Sequence, residues 1–187
     1  MAISFLAMNR DGVSKKKLDE LDCSFMYTQI LKEILLTIHF EQQHIQEFTD
    51  YCHKLYIEND HELASIRKLE QEYHSETPIW WYSSPSFLYS MLNHALRVMD
   101  VEIIVKMGFF IHDLHQHIEQ LHIEQFDGQQ TRQIFTIYRG QGLSKTDFDQ
   151  IVKTKGGLMR FNNFLSTSKD RDVSLMFAES NQSNPDL

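Results

Sequence analysis

The chain of 187 residues has little cysteine, little basic charge and no long apolar run. Its two cysteines, Cys23 and Cys52, are too few for a disulfide framework or a zinc quartet, and their apolar surroundings are typical of buried thiols. A formal net charge of −8 argues against a nucleic-acid partner recognised through its phosphates. No apolar run approaches the ~20 residues that span a bilayer, and the first residues make a poor signal peptide. We therefore expect an intracellular, soluble protein without a membrane span.

The first two-thirds of the chain has the apolar periodicity of helices. A hydrophobic content of 42% is sufficient for a core. Seven apolar residues recur at three- and four-residue steps and predict a long helix: Leu31, Leu35, Ile38, Ile45, Phe48, Cys52 and Leu55. Further helices are predicted from Asp60 to Tyr73, after the Ser84–Pro85 pair, and after a capping Asp100.

After residue 128 the pattern changes from helical to mixed. The β-rich stretch from Gln133 to Tyr138 predicts a strand that ends at glycines, and Ser144 predicts a helix that Gly156–Gly157 terminates. Residues 158–167 are interpreted as one bent strand or two short ones. Residues 170–178 are interpreted as a helix whose inward side would carry Val173, Met176 and Phe177.

Two short segments in this region carry polar groups that suit a nucleotide. Arg139 ends the predicted strand beside Gly140, where the backbone can approach a ligand closely, and its guanidinium matches phosphate oxygens. The triplet Ser166-Thr167-Ser168 offers hydroxyl donors and acceptors to sugar or amide groups. A nucleotide or sugar-phosphate site is one interpretation. The other is structural: an arginine paired with a carboxylate, and a hydroxyl-rich turn.

Taken in order, these segments resemble a known family. The strings Tyr138-Arg139-Gly140 and Asn163-Phe164-Leu165-Ser166-Thr167-Ser168, followed by Phe177, resemble the arginine–serine–glutamate class of mono-ADP-ribosyltransferases. The resemblance covers about residues 81–185. It implies an α+β fold, in which a helical N-terminal region precedes the first part of an ADP-ribosyltransferase-like mixed β-sheet domain. The expected domains are a helical extension over residues 1–75 and the NAD-binding half of the transferase domain over residues 76–187.

The resemblance also implies a role for each site residue. Arg139 would hold the pyrophosphate of NAD, and the backbone of Gly140 would hydrogen-bond the nicotinamide carboxamide. Ser166 would orient the nicotinamide ribose and the catalytic glutamate, so that Arg139 and Ser166 are the catalytic candidates. Thr167 and Ser168 would supply supporting hydroxyls. Phe177 would stack on the nicotinamide ring.

The reaction implied is transfer of ADP-ribose from NAD, or from NADP, to the arginine of a target protein, with release of nicotinamide and no metal. Its oxocarbenium-like transition state needs a carboxylate, which the family supplies from a Glu-x-Glu or Gln-x-Glu motif on a later strand. No such motif follows Ser166 here, and Glu179 lies on the wrong element for that role. The chain is therefore expected to be a fragment, inactive alone. The alternative is a catalytically dead binding module of the same kind, or a helical interaction protein.

Four histidines on one predicted helix raise the question of a metal site: His112, His115, His117 and His122. Zinc needs ligands that converge on one point, and neither cysteines nor a His-Glu-x-x-His motif accompany these residues. We therefore interpret them as surface or core-edge histidines and expect no metal.

Overall fold

The computed structural model describes residues 3–6, 23–126, 134–153, 158–161 and 163–180, which form a helical fold. The described residues contain nine α-helices and a one-turn 3-10 helix, Tyr73–Ser75, between the third and the fourth. The α-helices are α1 (Cys23–Thr37), α2 (Gln42–Leu55), α3 (Asp60–Glu72), α4 (Pro78–Ser83), α5 (Phe87–Val98), α6 (Val101–Lys106), α7 (Gly108–Phe126), α8 (Lys145–Lys153) and α9 (Arg171–Ser180).

The prediction of an α+β fold with a mixed β-sheet is wrong. In the described ranges the extended structure is limited to β1 (Ile3–Leu6) and β2 (Leu158–Phe161), which pair antiparallel, and to an isolated bridge between Tyr138 and Ser168. The strand predicted to end at Tyr138 is not formed over residues 134–137, and Ile134 is 97% exposed. Strand propensity depends on packing against neighbouring strands, and these residues have no such neighbours among those described.

The chain divides into two compact units. The helical unit comprises described residues 29–126, and the small unit comprises residues 3–6 and 23–28 together with the described residues from 134 to 180. The domain boundary expected after residue 75 stays a prediction. The 3-10 helix and α4, on either side of that position, both lie in the helical unit.

Aromatic and aliphatic side chains from α1 to α7 fill the core of the helical unit. Phe48 is fully buried, and its ring centroid lies 6.2 Å from that of Phe87 and 5.6 Å from that of Phe109. Other side chains that are almost completely buried include Ile66, Leu69, Leu88, Leu92, Ile104, Met107, Phe110 and Leu114. The burial of such residues is the main stabilising contribution to a helical fold of this size.

The long helix predicted from Leu31 to Leu55 is two helices. Helix α1 ends at Thr37 and α2 begins at Gln42. At the start of α2 the backbone N–H of Glu41 donates to Nδ1 of His44 over 2.9 Å. The apolar pattern continues across the break because Leu35 and Ile45 both pack into the same core.

Helix capping was predicted correctly at one position and assigned to the wrong position at another. Asp100 accepts a 3.2 Å hydrogen bond from the N–H of Ile103 and begins a helix, as expected. The one helix predicted to carry Ile103 through Leu121 is, however, divided at Met107 into α6 and α7. The Ser84–Pro85 pair does not begin a helix, because α5 starts at Phe87. A capping hydroxyl residue followed by proline does begin a helix earlier in the chain. There Thr77 caps the short α4 and Pro78 occupies its first turn.

Candidate functional site

The two segments singled out in the sequence lie side by side in the small unit. Tyr138 and Ser168 form an isolated antiparallel bridge, in which the N–H of Tyr138 donates to the carbonyl of Ser168 over 2.8 Å. The reverse bond, from the N–H of Ser168 to the carbonyl of Tyr138, measures 2.9 Å. This backbone pair aligns Arg139 with the residues just before Ser168.

The guanidinium of Arg139 connects the two segments. Its Nη1 donates a 2.9 Å hydrogen bond to the carbonyl oxygen of Ser166, and its Nε donates a 2.8 Å bond to Oε1 of Gln141. The structure therefore brings Arg139 and Ser166 together, as expected from the sequence. The acceptor in this contact is the backbone carbonyl of Ser166, so the Ser166 hydroxyl takes no part in it.

Gly140 lies against helix α9. A Cβ atom at this position would overlap the carbonyl oxygen of Ser174 and would lie 2.8 Å from the backbone nitrogen of Ala178. Real Cβ atoms do not approach backbone atoms so closely. Glycine is therefore required at position 140 by close packing, and Ser174 is buried at the same contact.

The three hydroxyl residues differ in their surroundings. The side chains of Ser166 and Thr167 are exposed, whereas Ser168 is half-buried. The Oγ of Ser168 accepts a 3.0 Å hydrogen bond from the N–H of Asp170, whose Oδ1 in turn accepts one of 2.9 Å from the N–H of Asp172. Ser168 thus helps to shape the chain leading into α9, and Ser166 and Thr167 face solvent.

The side chains expected on the inward face of α9 are exposed. Phe177, the predicted nicotinamide-stacking residue, is 64% exposed, and Val173 and Met176 are exposed as well. The inward orientation was wrong because the face of α9 that meets Gly140 carries Ser174 and Ala178, small residues that allow close approach. Phe177 precedes Ala178 on the same helix, and its stacking role stays a prediction.

Sequence reasoning missed two residues at this site, Gln141 and Ser174. Gln141 carries no local pattern that distinguishes it from a polar loop residue, although the flanking Gly140 and Gly142 marked the loop itself. Ser174 is a buried polar residue on a short amphipathic helix, and its contact with Gly140 joins residues far apart in the sequence.

The histidines of α7 contact groups within the helical unit. Nδ1 of His112 lies 3.1 Å from Oδ1 of Asp113, and its Nε2 lies 3.1 Å from Nε2 of Gln116. Burial lowers the pKa of His115, and the positive charge of Lys32 lowers it further. In the part of the chain that the structure describes, no group of three or more metal-ligating side chains is close enough to hold an ion.

Among the described residues, no helix has both the length and the apolar character needed to cross a membrane. No protein-family model, curated protein or solved structure matches the chain.

Proposed function

We propose that the residues around Arg139 and Ser166 bind NAD and that the reaction they serve is transfer of ADP-ribose to a protein arginine. The observation that carries this proposal is the 2.9 Å hydrogen bond from Arg139 to the Ser166 carbonyl. It holds a guanidinium beside two exposed hydroxyl residues, Ser166 and Thr167. This combination offers a cation to a pyrophosphate and hydroxyl groups to a ribose.

The guanidinium of Arg139 has donors that no described residue uses. Two of its five N–H groups are used, by Gln141 and Ser166, and the other three have no acceptor among the described residues. No described carboxylate forms an ion pair with Arg139, so its charge stays available to an anion. Lys169 is exposed next to Ser168 and adds a second cation to the same segment.

The nicotinamide end of NAD would lie near α9. The backbone of Gly140 packs against this helix, on which Phe177 is 64% exposed. An exposed aromatic side chain is suited to stacking on a flat heterocycle. Phe177 would supply that surface, and the Gly140 backbone would hydrogen-bond the carboxamide.

The second candidate is a module that binds without catalysis. It is favoured by the helical architecture of the described residues, which lack the mixed sheet expected of the transferase domain. In this alternative the same arginine and hydroxyl residues hold a nucleotide, and no carboxylate acts on the ribose. The two candidates share the binding step and differ in bond cleavage.

Calorimetric titration with NAD tests the binding step. We expect Arg139→Ala to weaken binding by about tenfold or more, because a charge-assisted hydrogen bond is lost. Arg97→Ala is the matched control, since Arg97 is an exposed guanidinium of the helical unit whose Nη2 lies 3.1 Å from Nδ1 of His94. Equal NAD affinity in the wild-type protein and Arg139→Ala would remove the proposed site.

Release of nicotinamide in the presence of agmatine, a small guanidinium acceptor, distinguishes the candidates. Release that stops in Ser166→Ala and continues in Arg97→Ala supports transfer. NAD binding without any nicotinamide release is expected of the binding module and equally of a transferase site that lacks its catalytic glutamate, so release is the outcome that decides between them.

A further inference from the structure

The side-chain amide of Gln141 lies against one edge of the Arg139 guanidinium. The Nε–H of Arg139 donates to Oε1 of Gln141 over 2.8 Å. Because a guanidinium has donors only, the amide oxygen has to face it, and the amide nitrogen points elsewhere. Gln141 therefore supplies an acceptor to Arg139 without supplying a charge.

The bond to Gln141 is one of two that fix the orientation of the guanidinium. The other runs from Nη1 to the Ser166 carbonyl, on a different nitrogen of the same plane. Two bonds from separate nitrogens restrict rotation of the plane more than either does alone. The three remaining N–H groups, two of them on Nη2, are left for a ligand, and no described residue accepts from them.

The backbone between Arg139 and Gln141 is itself held in place. Gly140 packs directly on Ser174 and Ala178 of α9, so a shift of the loop would require a shift of the helix. Both Arg139 and Gln141 are half-buried, which limits the alternative rotamers of their side chains. The pair is thus positioned by close packing in addition to its hydrogen bond.

We propose that Gln141 is a positioning residue that orients the free donors of Arg139 toward the pyrophosphate of NAD and leaves the arginine charge uncompensated. This inference rests on the proposed NAD binding. A carboxylate at position 141 would also accept from Nε, but it would pair with the guanidinium and compete with the phosphate. A neutral amide orients the arginine without that competition.

Two substitutions separate orientation from charge. Gln141→Met keeps the length of the side chain and removes the acceptor, and Gln141→Glu keeps an acceptor and adds a negative charge. Gln125→Glu, at an exposed position on α7 in the helical unit, is the control for the change in net charge.

The first measurement is the exchange rate of the Arg139 Nε–H by NMR in the NAD-free protein, with the resonance assigned from Arg139→Lys. We expect Gln141→Met to accelerate this exchange by about tenfold, which is the effect of losing one hydrogen bond of average strength. Gln141→Glu should keep the Nε–H protected. An unchanged exchange rate in Gln141→Met would overturn the positioning role.

The second measurement is calorimetric titration with NAD and, separately, with inorganic pyrophosphate. We expect Gln141→Met to weaken binding of both probes about tenfold, Gln141→Glu to weaken both further, and Gln125→Glu to change neither. Wild-type protein that binds neither probe would overturn the proposed function. Wild-type and Gln141→Met proteins that bind both probes equally well would overturn the positioning role alone.

Discussion

The phenol of Tyr73 donates a 2.7 Å hydrogen bond to Oδ2 of Asp113, forty positions further along the chain. Tyr73 is buried, and its own carbonyl oxygen accepts a 3.0 Å bond from Nε1 of Trp81. Its ring meets that of Phe109 edge-on at 5.2 Å. One residue thus connects the end of α3 with α4 and α7, and the stability of the helical unit should depend on it.

Tyr73→Phe should destabilise the helical unit by about 1.5–3 kcal/mol, because it removes a hydrogen bond to a charged acceptor while the ring packing is kept. Urea unfolding monitored by the fluorescence of Trp80 and Trp81 would report the change. The control is Tyr89→Phe, an exposed tyrosine for which about 0.5 kcal/mol or less is expected. In a double-mutant cycle with Asp113→Asn, an interaction energy near zero would show that the two residues are not coupled.

Alkaline pH should destabilise the helical unit through groups that stay protonated when buried. Burial raises the pKa of the Cys52 thiol from 9.0 to about 12, and burial followed by the charge and hydrogen bond of Asp113 raises that of Tyr73. Both groups have a higher pKa in the folded protein than in the unfolded chain. Their contribution to stability is therefore complete below the pKa of the unfolded chain and is lost as the pH rises above it. For Cys52 the loss begins near pH 9 and has a slope of at most about 1.4 kcal/mol per pH unit.

The free energy of unfolding should be measured between pH 7 and pH 11 in the wild-type protein and in Cys52→Ala. The variant will be less stable at pH 7 because a buried side chain is shortened. The comparison is therefore between the slopes of the unfolding free energy against pH, and not between its absolute values. We expect a shallower decline in Cys52→Ala above pH 9. Parallel curves would contradict the assignment of the loss to this thiol.

Gly140→Ala should loosen the contact between the Arg139 loop and α9. The added methyl group would overlap backbone atoms of Ser174, which cannot move without moving the helix, and overpacking of this kind costs about 1–3 kcal/mol. Hydrogen exchange followed by mass spectrometry should show faster exchange of the α9 amides.

Gly108→Ala is the comparison for this substitution. The new Cβ would lie 2.6 Å from Cζ of Phe40, the far end of a side chain that can rotate away. We expect the amides of α7 to be affected less by Gly108→Ala than those of α9 by Gly140→Ala. A larger increase in amide exchange for Gly108→Ala than for Gly140→Ala would contradict the view that a backbone neighbour yields less readily than a side-chain neighbour.

The sequence predicted those parts of the fold that depend on local chemistry. Helix α3 and the Asp100 cap of α6 follow from periodicity and capping, which act over a few residues. The break between α1 and α2 was missed because the same three- and four-residue spacing of apolar residues runs through both helices. The strand before Tyr138 was wrong since a strand needs neighbours that no local pattern supplies.

The contact between the two segments was predictable to a similar extent, and their role as a site stays a prediction. The family resemblance implied that Arg139 and Ser166 serve one site, and the two residues are joined by a hydrogen bond. The partner of the Arg139 Nε–H was not predictable, because a glutamine in a loop has many possible contacts. The packing of Gly140 on α9 was also missed, since it joins residues more than thirty positions apart.

Arg139→Lys should behave almost like Arg139→Ala in NAD binding, with affinity reduced about tenfold, although the charge is kept. A lysine ammonium is one nitrogen on a flexible chain, so it cannot donate to Gln141 and Ser166 from two nitrogens and still present an oriented pair of donors to phosphate. Calorimetric titration would measure the difference, with Arg97→Lys as the matched control. Wild-type affinity in Arg139→Lys would mean that only the charge at position 139 matters and that the oriented fork contributes nothing to binding.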